Sequence, residues 1–101
     1  MSSIVNDDGS RRRDRHDITA EILRTAKDGK IKTHIMYKAK LSYAQINEYI
    51  PALVQSGFLE NTTIRHRRYQ KRIYKTTEKG QKFLDNFDTI NKLWSDLTNS
   101  K

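Results

Sequence analysis

At 101 residues, with 35% hydrophobic and 32% charged residues, the chain has room for one domain with a modest core, a large wetted surface and one projecting element. A net charge of +8 and a pI of about 9.9 favour a polyanionic partner, either nucleic acid or an anionic membrane surface. The absence of cysteine excludes disulfides, thiol nucleophiles and Cys-ligated metals. No apolar run approaches the roughly 18 residues of a membrane span, and Met1–Ser10 does not resemble a signal peptide, so the expected location is cytoplasmic.

Residues 1–10 carry no periodicity and are expected to stay mobile. Arg11, Arg12 and Arg13 follow. They read either as a solvated run at a chain end or as a basic arm for phosphates or a minor groove. Residues 1–13 are accordingly set apart from a domain over 14–80. A first helix is predicted from about Arg15 to Lys27, with Asp14 as N-cap and Asp17 in the first turn, where the helix dipole favours negative charge. Ile18, Ile22, Leu23 and Ala26 form its apolar stripe, and Asp28-Gly29 stops it. Residues 30–32 are expected to supply a residue or two of strand.

The stretch from Lys32 to Gly57 reads as two helices joined by a tight corner. Thr33 opens the shorter one, whose apolar face is Ile35, Met36 and Ala39. Leu41 lies in the corner and Ser42 is placed to cap the longer one, where Ile46, Tyr49, Ile50 and Leu53 recur at i, i+3, i+4, i+7. A short helix, a brief turn and a longer helix make a helix-turn-helix, the unit that holds its second helix at a nucleic-acid groove. Pro51 conflicts with that second helix, because it removes one backbone bond and crowds the carbonyl of Asn47 at a cost of about 3 kcal/mol. A bend or local widening near Asn47–Pro51 is expected, and Gly57 ends the helix.

Phe58–Ile64 and Lys71–Thr76 are rich in β-branched and aromatic residues and read as antiparallel strands. Their link, about Arg65 to Gln70, holds neither Gly nor Pro, so its turn type is open. Between Thr62 and Lys75 there are six cations (Arg65, Arg67, Arg68, Lys71, Arg72, Lys75) and no acid, a localised patch of the kind a binding surface needs. A charged hairpin directly after a helix-turn-helix makes a winged helix. Over residues 81–101, after a cap at Thr76 or Thr77, Phe83, Phe87, Ile90, Trp94 and Leu97 are spaced 4, 3, 4, 3 in a coiled-coil seam flanked by Leu84 and Leu93. Phe83 and Leu84 are expected on the domain. Phe87, Ile90, Leu93, Trp94 and Leu97 are assigned to a homodimer interface, because the outer ones reach beyond so small a core.

The order of elements, with Lys32-Thr33-His34-Ile35-Met36-Tyr37, Leu41-Ser42-Tyr43, Gly57-Phe58-Leu59 and Tyr74-Lys75-Thr76-Thr77-Glu78-Lys79-Gly80, resembles the small basic archaeal winged-helix proteins. These include the ten-kilodalton chromatin-type DNA binders that dimerise through an antiparallel C-terminal coiled coil. The likeness spans about Asp14 to Leu84. It implies a mainly α fold with a small β-hairpin, binding to double-stranded DNA, a homodimer, and neither enzymatic activity nor a cofactor. Two departures stand out: Pro51, where the family carries a helix-friendly residue, and a longer, more cationic wing.

On that reading Lys32, Thr33, Lys38 and Lys40 flank the corner, and Arg65, Arg67, Arg68, Lys71 and Arg72 meet phosphates from the wing. Ser42, Tyr43, Gln45 and Asn47 lie at the start of the second helix. Gln45 and Asn47 read either as ordinary solvent-facing residues or as bidentate readers of adenine. Tyr43 and Tyr49 are expected to pack, and Tyr37 to rest against the wing or the third helix. His16, His34 and His66 are too scattered for a metal site, no paired carboxylates stand out, and the single glycines form no phosphate loop. Two functions remain: a DNA-binding regulator or nucleoid-associated protein, and a protein-interaction module that keeps the winged helix as scaffold and uses its last helix to bind.

Overall fold

The computed structural model describes residues 13–99. Its elements follow in the order α1 (Arg15–Thr25), α2 (Lys32–Lys38), α3 (Tyr43–Gln55), β1 (Leu59–His66), β2 (Tyr69–Thr76) and α4 (Glu78–Thr98). Asp14 begins α1 with a reciprocal capping box. Its carboxylate accepts the backbone N–H of Asp17, and the carboxylate of Asp17 accepts the backbone N–H of Asp14. The helix ends two residues earlier than its composition predicts. The N–H of Gly29 returns to the carbonyl of Ala26, and Gly29 takes φ +92°, a conformation open to glycine.

Lys30 then pairs with Tyr74 through both backbone hydrogen bonds, which is the brief strand expected there. The next helix starts at Lys32, one residue before Thr33, with Ile31 at its N-cap and no side chain bonding that end. Lys40 turns the corner at φ +57°, and Leu41 is buried beneath it. Ser42 and Gln45 form a second capping box at the start of α3. This helix runs through Pro51 to Gln55 without interruption. Three contiguous turns held on the core by Ile46, Ile50 and Leu53 outweigh the loss of one backbone bond at an exposed position.

The two strands pair in register from Leu59↔Thr76 to His66↔Tyr69, so each is longer at the tip than its β-branched run predicts. Arg67 and Arg68 form a two-residue turn, with Arg67 at φ +54°. The wing is rooted by polar contacts at its base. Thr76 Oγ1 donates to the carbonyl of Leu23 at 2.7 Å, Thr77 Oγ1 donates to the carbonyl of Gly57 at 2.6 Å, and the N–H of Thr77 donates to the carbonyl of Phe58. Thr77, rather than Thr76, also caps α4 by accepting the N–H of Gly80.

One core joins all these elements: Ile18, Ile22, Leu23 and Ala26 of the first helical segment, Ile35 and Ala39, Leu41, Ile46, Ile50 and Leu53, then Leu59, Tyr74 and Leu84. Phe58 and Phe83 contact each other at 5.4 Å between ring centres, and Phe83 stacks on Phe87 at 6.0 Å. Beyond Phe87 the last helix leaves the core behind. Ile90, Leu93, Trp94 and Leu97 stand 52–64% exposed. No described helix is long and apolar enough to cross a membrane.

Candidate nucleic-acid interface

The first residue of α2 meets the exposed flank of α3. Lys32 Nζ donates to Asn47 Oδ1 at 2.6 Å and lies 5.4 Å from the centre of the Tyr43 ring. Tyr43 was expected to pack but is 64% exposed. It is the first residue of its helix, offset from the buried Ile46–Ile50–Leu53 stripe, so its ring lies on the surface under a lysine. Tyr37 is also corrected: it is 76% exposed, because Ile35 and Ala39 define the inner face of the shorter helix and Tyr37 projects from the other side. Tyr49 packs on the core as expected.

The capping box changes what two candidates can offer. Ser42 Oγ accepts the N–H of Gln45, and Gln45 Oε1 accepts the N–H of Ser42 at 2.9 Å. Bidentate contact with adenine needs the amide oxygen as well as its nitrogen. Gln45 therefore faces outward mainly with its NH₂ donors, and so does Asn47, whose oxygen is turned to Lys32. Spacing of polar residues along a helix does not reveal such commitments; the S-x-x-Q pattern was the available signal for Gln45.

The register of the wing sorts its cations. Alternation of side chains puts Arg65 and Arg72 on one face with Asn61, Thr63, Gln70 and Tyr74, and puts Lys71 and Lys75 on the other with Ile64 and Ile73. The first face is turned to α3: Arg72, Asn61 and Tyr74 line a cleft with Ile50, Pro51 and Val54. The cationic strip expected from sequence is thus divided between two faces of the hairpin, and Arg72 is the wing cation set against α3, whereas Arg65 lies with Arg67 and Arg68 at the tip. A second concavity of about 350 Å³ is lined by Lys32, Thr63, Gln70, Lys71, Arg72 and Tyr74, so α2 and the wing share it. The Lys71 ammonium itself sits 5.9 Å over the Tyr69 ring. At the tip, Arg67 and Arg68 are exposed, and the ring of His66 lies against Tyr69 at 5.6 Å.

Thr33, Lys38 and Lys40 are exposed around the corner. Arg13 is not a free arm. Its guanidinium donates to the carbonyls of Ala39 and Lys40, the latter at 2.9 Å, and so closes the end of α2. Arg11 and Arg12 lie outside the described residues. No charged side chain of α3 is basic; Glu48 is its one charge, on the exposed side. Among the described residues no group of three or more His, Asp or Glu side chains is placed to hold a metal ion.

A helical pair with a tight corner, a β-hairpin rooted beside its second helix and a third helix packed behind define a winged helix-turn-helix domain. The chain belongs to the winged helix-turn-helix family, whose model matches residues 12–95. It is 31% identical over 83 residues to an uncharacterised protein of Methanocaldococcus jannaschii, covering 81% of this chain and 77% of that one. Its fold is also similar to the crystal structure of Sso10a-2, a DNA-binding protein from Sulfolobus solfataricus, with a TM-score of 0.73, 25% sequence identity and coverage of 87% of this chain and 88% of the other.

Proposed function

We propose that this protein binds double-stranded DNA, as a transcriptional regulator or nucleoid-associated protein, with α3 in the major groove and the wing on the backbone or minor groove. The observation that carries the reading is the shared surface of Lys32, the exposed flank of α3 and the Arg65–Arg72 face of the wing. Its cations surround the groove-facing helix and do not sit on it, so phosphates hold the edges while Tyr43, Asn47 and Glu48 face the bases. The likeness to a DNA-binding protein supports the same reading. The exposed apolar end of α4 is covered by a second copy, making a homodimer. Chemistry on a substrate and a cofactor have no part in this reading.

Titration of random duplex DNA at two salt concentrations tests it. Binding should weaken steeply with salt, with the logarithm of affinity falling by about 0.9 per phosphate contact per logarithm of salt. Affinity that ignores salt, or no binding to duplex DNA at low salt, overturns it.

One observation favours the second reading, a protein-interaction module: α3 carries no cation, and its one charge is acidic. Under that reading duplex DNA fails to bind while the α4 surface still associates.

A further inference from the structure

Two cationic concavities meet on the wing. One, of about 350 Å³, runs between α2 and the hairpin and has Lys32, Gln70 and Arg72 on its walls. The other, of about 270 Å³, is the cup at the tip, formed by Arg65, Arg67, Arg68, Tyr69 and Gln70. Gln70 lines both, so they join into one path, and no acidic side chain lines either. An exposed tyrosine stands at each end. On α3, Tyr43 is 64% exposed, with the Lys32 ammonium 5.4 Å from its ring centre. At the tip, Tyr69 is 55% exposed, with the Lys71 ammonium at 5.9 Å and the His66 ring at 5.6 Å. We infer that this path binds unpaired, single-stranded DNA, whose phosphates follow the cations while its bases stack on Tyr43 and on the Tyr69–His66 pair. This activity goes beyond duplex binding and does not depend on it.

Three observations select a single strand. The first is the chemistry of the rings. Bases within a duplex have their faces covered by their neighbours and show only their edges, so a tyrosine can stack only on a base that has left the helix. Neither ring is needed by the core, and each already holds an ammonium where the phosphate beside a stacked base would lie.

The second is where the charge lies. No basic residue stands on α3, whereas every charged side chain lining the joined path is basic, so phosphates are drawn along the wing and not along the helix.

The third is the shape of the path. Alternation puts Tyr69 on the hairpin face opposite Gln70 and Arg72, so a ligand that touches Tyr69 as well as the inner concavity has to turn over the tip. Duplex DNA, with a persistence length of about 150 base pairs, does not follow a turn as tight as one hairpin. A single strand bends at each nucleotide and can.

Anisotropy titrations on the full chain test this, with a labelled oligothymidine of about 20 nucleotides set against an abasic strand of equal length. Oligothymidine should bind at least about fivefold more tightly than the abasic strand, and Tyr43→Leu and Tyr69→Leu should each lower its affinity at least about fivefold. Neither substitution removes a charge, so the salt slope should stay as in the parent. Tyr43→Phe and Tyr69→Phe, which keep the ring, should bind as the parent does. Should a Leu variant fail to fold, the comparison with the abasic strand decides on the unaltered chain. Equal affinity for the two strands overturns the inference, and so does unchanged affinity in both Leu variants. The same titration with random duplex separates the two readings. A chain that holds oligothymidine but not duplex loses the duplex reading alone, and one that holds duplex but not oligothymidine loses this inference alone.

Discussion

Lys32 Nζ and Asn47 Oδ1, 15 residues apart in the chain, meet at 2.6 Å and tie the start of one helix to the exposed flank of the next. The bond orients the Asn47 amide: its oxygen faces the lysine and its NH₂ faces out. Asn47 thereby offers donors, suited to guanine N7 and O6 or to a phosphate oxygen, and withholds the acceptor that adenine N6 requires. Replacing Lys32 by Met removes one cation and frees that acceptor. The salt slope of duplex binding should fall by about 0.9, and selection from a random duplex library should move toward adenine at one position. An unchanged slope would show that Lys32 touches no phosphate.

Arg67 is the wing residue whose backbone argues for its side chain. It sits at φ +54° in a two-residue turn, where glycine or asparagine is favoured. A non-glycine residue there costs of order 1 kcal/mol, and such outliers gather at functional positions. Arg67→Gly should raise stability by up to about 1 kcal/mol, or roughly 4–8 °C in Tm, while weakening duplex binding. The double reversal Arg67→Glu/Arg68→Glu should cost at least about tenfold in affinity at low salt and flatten the salt dependence, with an unchanged circular dichroism spectrum. A gain in stability with no loss of binding would return Arg67 to the ordinary surface.

Asp14 makes α1 sensitive to acid. Its carboxyl is held below the ordinary aspartate value, first by the backbone N–H of Asp17, with burial opposing, and further by the Asp17 side chain and by His16. A folded pKa below the unfolded one means that this contribution is present above the unfolded pKa and is lost as pH falls through the folded one. Asp14→Asn keeps a capping oxygen but cannot titrate. Its stability should match the parent to within about 1 kcal/mol at neutral pH. It should fall less than the parent below pH 3.8, as denaturant midpoints across that range will show.

How much of this was legible in the residues depends on whether a signal is local. Asp14 and Ser42 as caps, the Ile46–Ile50–Leu53 stripe and the glycines that follow α1 and α3 come from rules spanning four or five residues, and they hold in the structure. The wing was visible as β-branched residues, but its length was not. His66 and Tyr69 pair only because Arg67 accepts a left-handed turn, which neither Gly nor Pro announces. The site was legible as a list of cations and not as a surface. Arg13 looked like part of an arm, yet it closes a helix 26 residues away. Arg72 and Lys71 are neighbours in sequence and opposites across the sheet, because assigning a strand's faces requires the register and a knowledge of which side the core occupies. Tyr37 and Tyr43 stand exposed because the buried stripe of each helix is complete without them.

Gly80 joins the wing to the projecting helix and leaves no room for a side chain. It is buried in the first turn of α4, and a Cβ built there overlaps the Phe58 carbonyl oxygen and falls 2.8 Å from Thr76 Cγ2. Both neighbours are already fixed. The Phe58 carbonyl accepts the N–H of Thr77, while Thr76 Oγ1 holds the carbonyl of Leu23. An alanine would ordinarily favour a helix interior by about 1 kcal/mol. Here overpacking of 1–3 kcal/mol competes with that preference, and the obstructing atom is backbone, which cannot rotate away. Gly80→Ala should therefore lower stability by about 1–2 kcal/mol. It should also loosen the hold of α4 on the base of the wing, raising amide exchange at Phe58 and Thr77 before the helix-turn-helix is affected. Gly57→Ala is the contrast. A Cβ there meets only the flexible end of Lys79, at 3.6 Å, so its cost comes from the +86° φ alone and exchange at Phe58 and Thr77 should change less. Equal exchange in the two variants would show that the close approach at Gly80 is absorbed by a small shift of the helix.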